Sequence, residues 1–357
     1  MGNELPPIVS VTLLMMSFLL AVLSWKFIET PFRRNWKGIR SIKIIGAAAI
    51  CTALIAGTGF ALHLTNGLLQ RLPQQLREAA KPMDDKRFLF VTLDQIREGN
   101  VPTLGIEKPE GQASDFIVWG DSHALSLYTS FDQSAKDMGL SGVIAARSGT
   151  PPLVGVTRPF DLVKHGSIPS HNQAVLDYIR KHEIANVVLV ARWAVTIEGR
   201  KDGSKRSLIA EQHATETDKP SARAAMVAGL GRTLDALEKL GANVWILKQV
   251  PLQNIEPQRL IVRSLYFETE IPKGVTIKEH EERQSNANMI IDEKAKGRDG
   301  VTTIDLSSAF FPTDDHSLIG GQQGSYYRDD NHVSILGADE ILRPVIDSVL
   351  IEMGRNK

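Results

Sequence analysis

The chain has 357 residues, with Lys+Arg and Asp+Glu both at 41, so its formal net charge is zero. That balance argues against a broad basic surface of the kind that holds nucleic acid. A single cysteine, Cys51, excludes an intramolecular disulfide and a cysteine-rich zinc site, and the length suits one large domain with an accessory segment.

The first elements are apolar. Leu5 to Trp25, "LPPIVSVTLLMMSFLLAVLSW", and Ile44 to Leu62, "IIGAAAICTALIAGTGFAL", carry no charge, and each is long enough to cross a hydrocarbon core as a helix. Between them lie Lys26, Arg33, Arg34, Lys37, Arg40 and Lys43 against the single acid Glu29. The positive-inside rule places this loop in the cytoplasm and everything after about residue 64 on the outer side. A cleaved signal peptide is the rival reading of the first segment, although Glu4 stands where a basic residue would be expected. A buried Ala/Gly-rich core helix is the rival for the second.

Residues 65–114 mix Pro, Gly and charge and read as a linker with some helix. Beyond it, apolar runs alternate with longer helix-compatible stretches. The strand candidates are "FIVWG" (116–120), "GVIAA" (142–146), "NVVLVAR" (186–192), "NVWILKQV" (243–250) and "VTTIDL" (301–306). Short apolar runs at this spacing indicate βαβ units, and hence a parallel sheet with helices on both faces. The charged stretch 278–299 reads as a solvated helix, and 335–353 as a closing amphipathic helix. The expected organisation is a membrane segment (1–64), a linker (65–114) and an α/β domain (115–357).

In an open parallel sheet, ligands gather at the carboxyl ends of the strands, where "GDSH" puts Ser122. A serine hydroxyl becomes nucleophilic when a base removes its proton and a third group orients that base. His332, in "DDNHVS", precedes the last helix and is the best-placed histidine. Asp329 lies three residues before it, a spacing at which one turn can present carboxylate and imidazole together, and Asp330 is the competing acid. The bland alternatives are a helix-capping Ser122 and a surface His332. His123 is read as shaping the turn. Asp314, Asp315 and His316 form an acid–histidine cluster with no further ligand residue at metal spacing, read as a solvated loop; no metal site is expected.

"GDSH" after an apolar strand, with "DDNHVSILGA" before the last helix, resembles the SGNH/GDSL hydrolase superfamily over roughly residues 115–353. The resemblance implies a three-layer, flavodoxin-like parallel sheet, with Ser122 as nucleophile, His332 as base and Asp329 as its orienting acid. "SWKFIETPFRR" (24–34) is similar to the end of membrane acyltransferase family 3, whose bacterial members often continue through one more span into an SGNH domain. The combination implies O-acetylation of a bacterial cell-surface polysaccharide, such as lipopolysaccharide or peptidoglycan, at the inner membrane with the SGNH domain in the periplasm or outside the cell. It implies no bound cofactor, acetyl-coenzyme A as the ultimate donor, membrane lipid and the polysaccharide as partners, and a separate acyltransferase subunit as a further one. Only the end of the acyltransferase region is recognisable, without its His and Arg motifs.

The resemblance also implies an oxyanion hole built from the Ser122 N–H and from Gly149 in "RSGTPPL". The family's third donor is an Asn after the third strand. Here Trp193 stands about there, and Arg192 is the substitute expected to complete the hole. Two other outcomes remain: a carbohydrate O-acetyl esterase, if water is the acceptor, or a non-catalytic polysaccharide-binding domain. A metal-dependent phosphoesterase built on "GDSH" and "DDNH" is a third reading.

Overall fold

The computed structural model describes residues 7–30, 41–64, 91–109, 111–160, 167–312 and 315–355. The chain divides into two compact units, Met1–Leu68 and Leu69–Lys357.

In the first unit, helix α1 (Pro7–Ser24) runs on through a wide π turn, Trp25–Glu29, and helix α2 covers Ser41–Leu64. Leu14, Phe18, Ile55 and Phe60 are all exposed, the reverse of what water favours for such side chains. The hydroxyls of Thr12, Ser17 and Thr58 donate to carbonyls four residues back, so these polar groups are satisfied without solvent. Ser10–Phe27 is long and apolar enough to cross a membrane, whereas the apolar stretch of α2 is the shorter Ala49–Leu64. Among the described residues, one helix therefore meets the length of a span where the sequence leads one to expect two. Arg33, Arg34, Lys37 and Arg40 of the expected basic loop lie outside the described residues.

The second unit is an α/β sandwich. The strands of its central sheet are β1 (Thr103–Gly105), β2 (Phe116–Gly120), β3 (Ser141–Ala146), β4 (Asn186–Val190), β5 (Asn243–Lys248) and β6 (Val301–Asp305). They form one sheet in the order β1-β3-β2-β4-β5-β6. All pairs are parallel except β1 with β3. The central strands are buried on both faces, which is why they read as continuous apolar runs. Alternation then sorts the side chains: Ile117, Trp119, Val187, Leu189, Val244 and Ile246 enter one core, while Phe116, Val118, Val188, Val190, Trp245 and Leu247 enter the other.

Helices cover both cores. Helix α6 (Ile168–Lys181), α8 (Lys219–Lys239) and α10 (Ile277–Ala295) supply Val175, Leu230 and Ile291 to the first core. Helix α5 (Tyr128–Asp137), α9 (Pro257–Tyr266) and α11 (Arg343–Arg355) supply Phe131, Ile261 and Leu350 to the second. Shorter helices include α3 (Leu93–Glu98), α4 (Ser122–Ser126) and α7 (Trp193–Glu198).

Two expectations are corrected. The linker to residue 114 gives way from Val91 onward; residues 65–90 lie outside the described ones. Thr92 and Gln95 form a capping box that opens α3, Val91, Ile96 and Val101 are buried, and β1 pairs Thr103 with Val143. A three-residue strand between Pro102 and Gly105 is too short for its alternation to register. The charged helix is not solvated all round either: His280, Gln284, Ala287, Ile290 and Ile291 of α10 are buried, a narrow stripe at helical spacing.

Candidate functional site

The site begins where β2 ends. A Cβ on Gly120 would lie 1.9 Å from the Val190 carbonyl oxygen and 2.9 Å from Ala124 Cβ, so only glycine lets β2, β4 and α4 converge here. The next residue, Asp121, is buried, and its carboxylate accepts the N–H of His123 at 2.8 Å and that of Arg192 at 2.9 Å. One side chain thus caps α4 and ties the turn after β2 to the turn after β4. Burial pushes the Asp121 carboxyl up, against the pull of those two amides and of the Arg158 and His332 charges. Ser122 follows as the first helical residue, a position whose N–H has no intrahelical acceptor.

The partner side is a turn pinched shut by an antiparallel bridge between Tyr327 and Val333, with the Arg328 N–H donating to the His332 carbonyl at 2.8 Å. Inside it, the Asp329 carboxylate accepts the backbone N–H of Asn331 at 2.8 Å and of His332 at 2.7 Å. Its second oxygen lies 2.7 Å from His332 Nδ1, and His332 Nε2 lies 2.8 Å from Ser122 Oγ. With Nδ1–H donating its hydrogen bond to the carboxylate, Nε2 is the acceptor for the serine hydroxyl. Burial raises the Asp329 carboxyl, but the His332 ring and the His332 and Asn331 amides outweigh it and hold the group well below the usual carboxylate range. The acid therefore stays ionised, as a group that orients an imidazole must.

Asp330, the competing acid, faces elsewhere. Its carboxylate accepts from the Asn331 amide and its carbonyl from the Gln253 N–H at 2.7 Å. Asn331 Oδ1 lies 3.2 Å from His123 Nε2, and the rings of His123 and His332 sit 5.0 Å apart. Burial, then the charges of His332 and Arg192, press His123 well below the usual histidine range, so it stays a neutral neighbour of the site. Asn331 was not singled out in the sequence. Its adjacency to His332 was the only signal.

The residues expected to meet the developing oxyanion are brought to the same end of the sheet. Gly149, in the turn after β3, has φ 68°, and a Cβ there would lie 2.8 Å from Arg158 Nη1. Arg158 is buried and within electrostatic reach of Asp121; nothing in the sequence marks it, because only the fold carries it to the serine turn. Arg192 is half-buried within electrostatic reach of Asp330, Asp121 and Asp329. No described residue accepts a hydrogen bond from its guanidinium, whose Nε is buried. Burial lowers its affinity for the proton, and the nearby carboxylates raise it. Trp193 is fully buried and donates its indole N–H to the Leu247 carbonyl at 2.8 Å, so it holds α7 to β5 and does not replace the expected Asn.

Asp314 of the second acid–histidine cluster lies outside the described residues. Asp315 and His316 are more than a solvated loop: the Asp315 carbonyl accepts the Ile277 N–H at 2.8 Å, and His316 pairs with Thr276 at the start of α10.

A mainly parallel sheet with a serine at the tip of a central strand and an Asp-x-x-His turn before the closing helix is an SGNH/GDSL-like α/β domain, the class of esterases and acyltransferases. More narrowly, the chain belongs to the SGNH domain family that is fused to AT3 domains; the family model matches residues 92–347. That match leaves residues 1–91 outside it. Among solved structures, the periplasmic domain of a lipopolysaccharide acetyltransferase from Salmonella ser. Paratyphi A is similar at 13% identity and a TM-score of 0.50, covering 79% of this chain and 99% of that one. A proposed acylhydrolase from Bacteroides fragilis aligns at 12% identity, a TM-score of 0.36 and 75% and 99% coverage. A GDSL-like lipase from Bacteroides thetaiotaomicron aligns at 12%, 0.36, and 68% and 93%. At 13% identity the likeness to the Salmonella domain is one of fold. No curated protein matches this chain in sequence.

Proposed function

We propose that this chain transfers an acetyl group to hydroxyls of a bacterial cell-surface polysaccharide through an acyl-enzyme on Ser122. The observation that carries the reading is the relay from Asp329 through His332 to Ser122, with contacts of 2.7 and 2.8 Å between groups 210 residues apart in the chain. A turn serine with a capping role needs no imidazole at its hydroxyl. Membership in a family fused to AT3 domains and the fold shared with a lipopolysaccharide acetyltransferase domain support acetyl as the group and a surface glycan as the acceptor.

In the first step Ser122 Oγ attacks the acetyl carbonyl carbon while its proton passes to His332 Nε2, and that proton leaves with the donor's leaving group. In the second, a sugar hydroxyl gives its proton to His332 and attacks the acetyl-serine, releasing the ester and restoring Ser122. The Ser122 and Gly149 N–H groups and the Arg192 guanidinium stabilise the negative oxygen formed in both steps. Asp329 orients the imidazole and balances its charge. When water takes the place of the sugar, the same site is an O-acetyl esterase.

In the same reading α1 and α2 both span the inner membrane, with the basic loop in the cytoplasm and the SGNH domain in the periplasm or outside the cell. The acetyl group comes from cytoplasmic acetyl-coenzyme A through a separate membrane acyltransferase. The test is p-nitrophenyl acetate turnover by the full chain in detergent micelles. Ser122→Ala and His332→Ala are each expected to lose on the order of 10⁴-fold or more. Turnover that survives Ser122→Ala sinks the acyl-enzyme and leaves a polysaccharide-binding domain.

A further inference from the structure

The carboxyl face of the sheet carries a second feature beside the serine turn. A cavity of about 330 Å³ opens between three segments: Lys201 after α7, Leu252 and Asn254 after β5, and Val275, Glu279, Glu282 and Arg283 at the start of α10. Its size is that of a small-ligand site, and its place is the crevice where α/β sheets bind ligands.

A short hydrogen-bonded path joins it to the acid–histidine turn. Lys201 Nζ donates to the Gln253 carbonyl at 2.7 Å and to Asn254 Oδ1 at 2.6 Å. The Gln253 N–H in turn donates to the carbonyl of Asp330, next to Asp329, at 2.7 Å. Lys201 is also within electrostatic reach of Asp330, Arg283, Arg192 and Glu279. The cavity is therefore tied through Gln253 to the turn that carries Asp329 and His332.

The lining states the ligand's chemistry. Two cations face two carboxylates, so the cavity carries no net charge to attract an anion. Some of its polar capacity is committed: Glu279 takes the Asn254 amide at 3.1 Å and the Thr276 N–H at 2.8 Å. The remainder is open. Among the described residues the Glu282 carboxylate has only a 4.0 Å contact with Lys278, Lys201 keeps a third N–H, and Arg283 donates to the Gly199 carbonyl alone. Open donors beside open acceptors, over the apolar Leu252 and Val275, suit a molecule whose every hydroxyl both donates and accepts.

We propose that this cavity binds a neutral sugar residue of the acceptor glycan, next to the residue that is acetylated. Its identity as part of an acceptor rests on the acyl-transfer reading above; its affinity for sugar does not. The test is saturation-transfer NMR of the full chain in detergent micelles with methyl β-galactopyranoside and, separately, galacturonate. Wild type is expected to bind the neutral glycoside saturably and more tightly than the acid. Glu282→Ala, at a side chain 68% exposed and so free of folding cost, is expected to weaken binding about tenfold, while Glu281→Ala, one residue outside the lining, leaves it unchanged. Absence of glycoside binding, preference for galacturonate, or equal binding by wild type and Glu282→Ala each overturns the proposal. Glycoside binding lost in Glu282→Ala, together with esterase turnover that survives Ser122→Ala, keeps the sugar site and removes the acyl-transfer reading.

Discussion

The two sides of the serine are built on different principles. The acid–histidine side is one turn of chain, where Asp329 holds its own loop by two backbone N–H groups and the imidazole by its other oxygen. The side proposed to meet the oxyanion draws on Gly149 after β3 and Arg192 after β4, which lie at the same end of the sheet because those two strands flank β2. The first is locally determined and tightly bonded. The second depends on the register of three strands, and its principal side chain, Arg192, has no hydrogen-bond partner among the described residues. The proposed function follows the same split: a tightly bonded imidazole on one side, and on the other a guanidinium with no hydrogen-bond acceptor among the described residues.

The sharpest way to break that contrast is to exchange the adjacent acids. Asp329→Asn is expected to reduce esterase turnover by about 10⁴-fold, because the amide no longer fixes the base's tautomer; Asp330→Asn, whose carboxylate takes the Asn331 amide and acts on Arg192 and Lys201 through charge alone, should stay within a few-fold of wild type. Equal losses in steady-state assays would show that the turn works as a whole.

Next in size is Arg192→Gln. Removing one oxyanion donor is expected to lower kcat by about 10²- to 10³-fold with KM little changed. A loss confined to KM would move Arg192 from the transition state to substrate binding. Gly149→Ala reports on the same side through the backbone. A left-handed φ of 68° and the Arg158 guanidinium in the way are expected to cost about 1–2 kcal/mol in denaturant unfolding; an unchanged midpoint would mean the turn relaxes freely.

The smallest effect is the pH dependence of the acid–histidine side. The folded-state pKa of Asp329 lies below its unfolded value. Its stabilising contribution is then fully present above the ordinary carboxylate range and is lost as pH falls through the depressed value. Wild type should be modestly more stable than Asp329→Asn at neutral pH, and the gap should close only in strong acid. A gap that closes near the usual carboxylate pKa would show that the imidazole does not hold the acid.

How much of this was legible beforehand follows from the range of each interaction. The buried strands announced themselves as apolar runs: β2 keeps its expected bounds, β3 starts one residue earlier, and β4, β5 and β6 end one or two residues sooner; β4 stops at Val190 because the Arg192 amide turns to Asp121. The three-residue β1 had too little sequence to show a period. The stripe on α10 was hidden by the charges around it.

Neighbouring residues fix the parallel α/β layout, the serine at a strand end and the acid three residues before its histidine, because apolar periodicity and the span of one turn are short-range facts. The tertiary structure alone decided that His332 faces Ser122 across 210 positions, that Asp329 and not Asp330 reaches the ring, that Trp193 is a buried strut, and that Arg158 packs on Gly149. Each of those contacts depends on which strands lie side by side and how their loops pack, and no local run of residues encodes that.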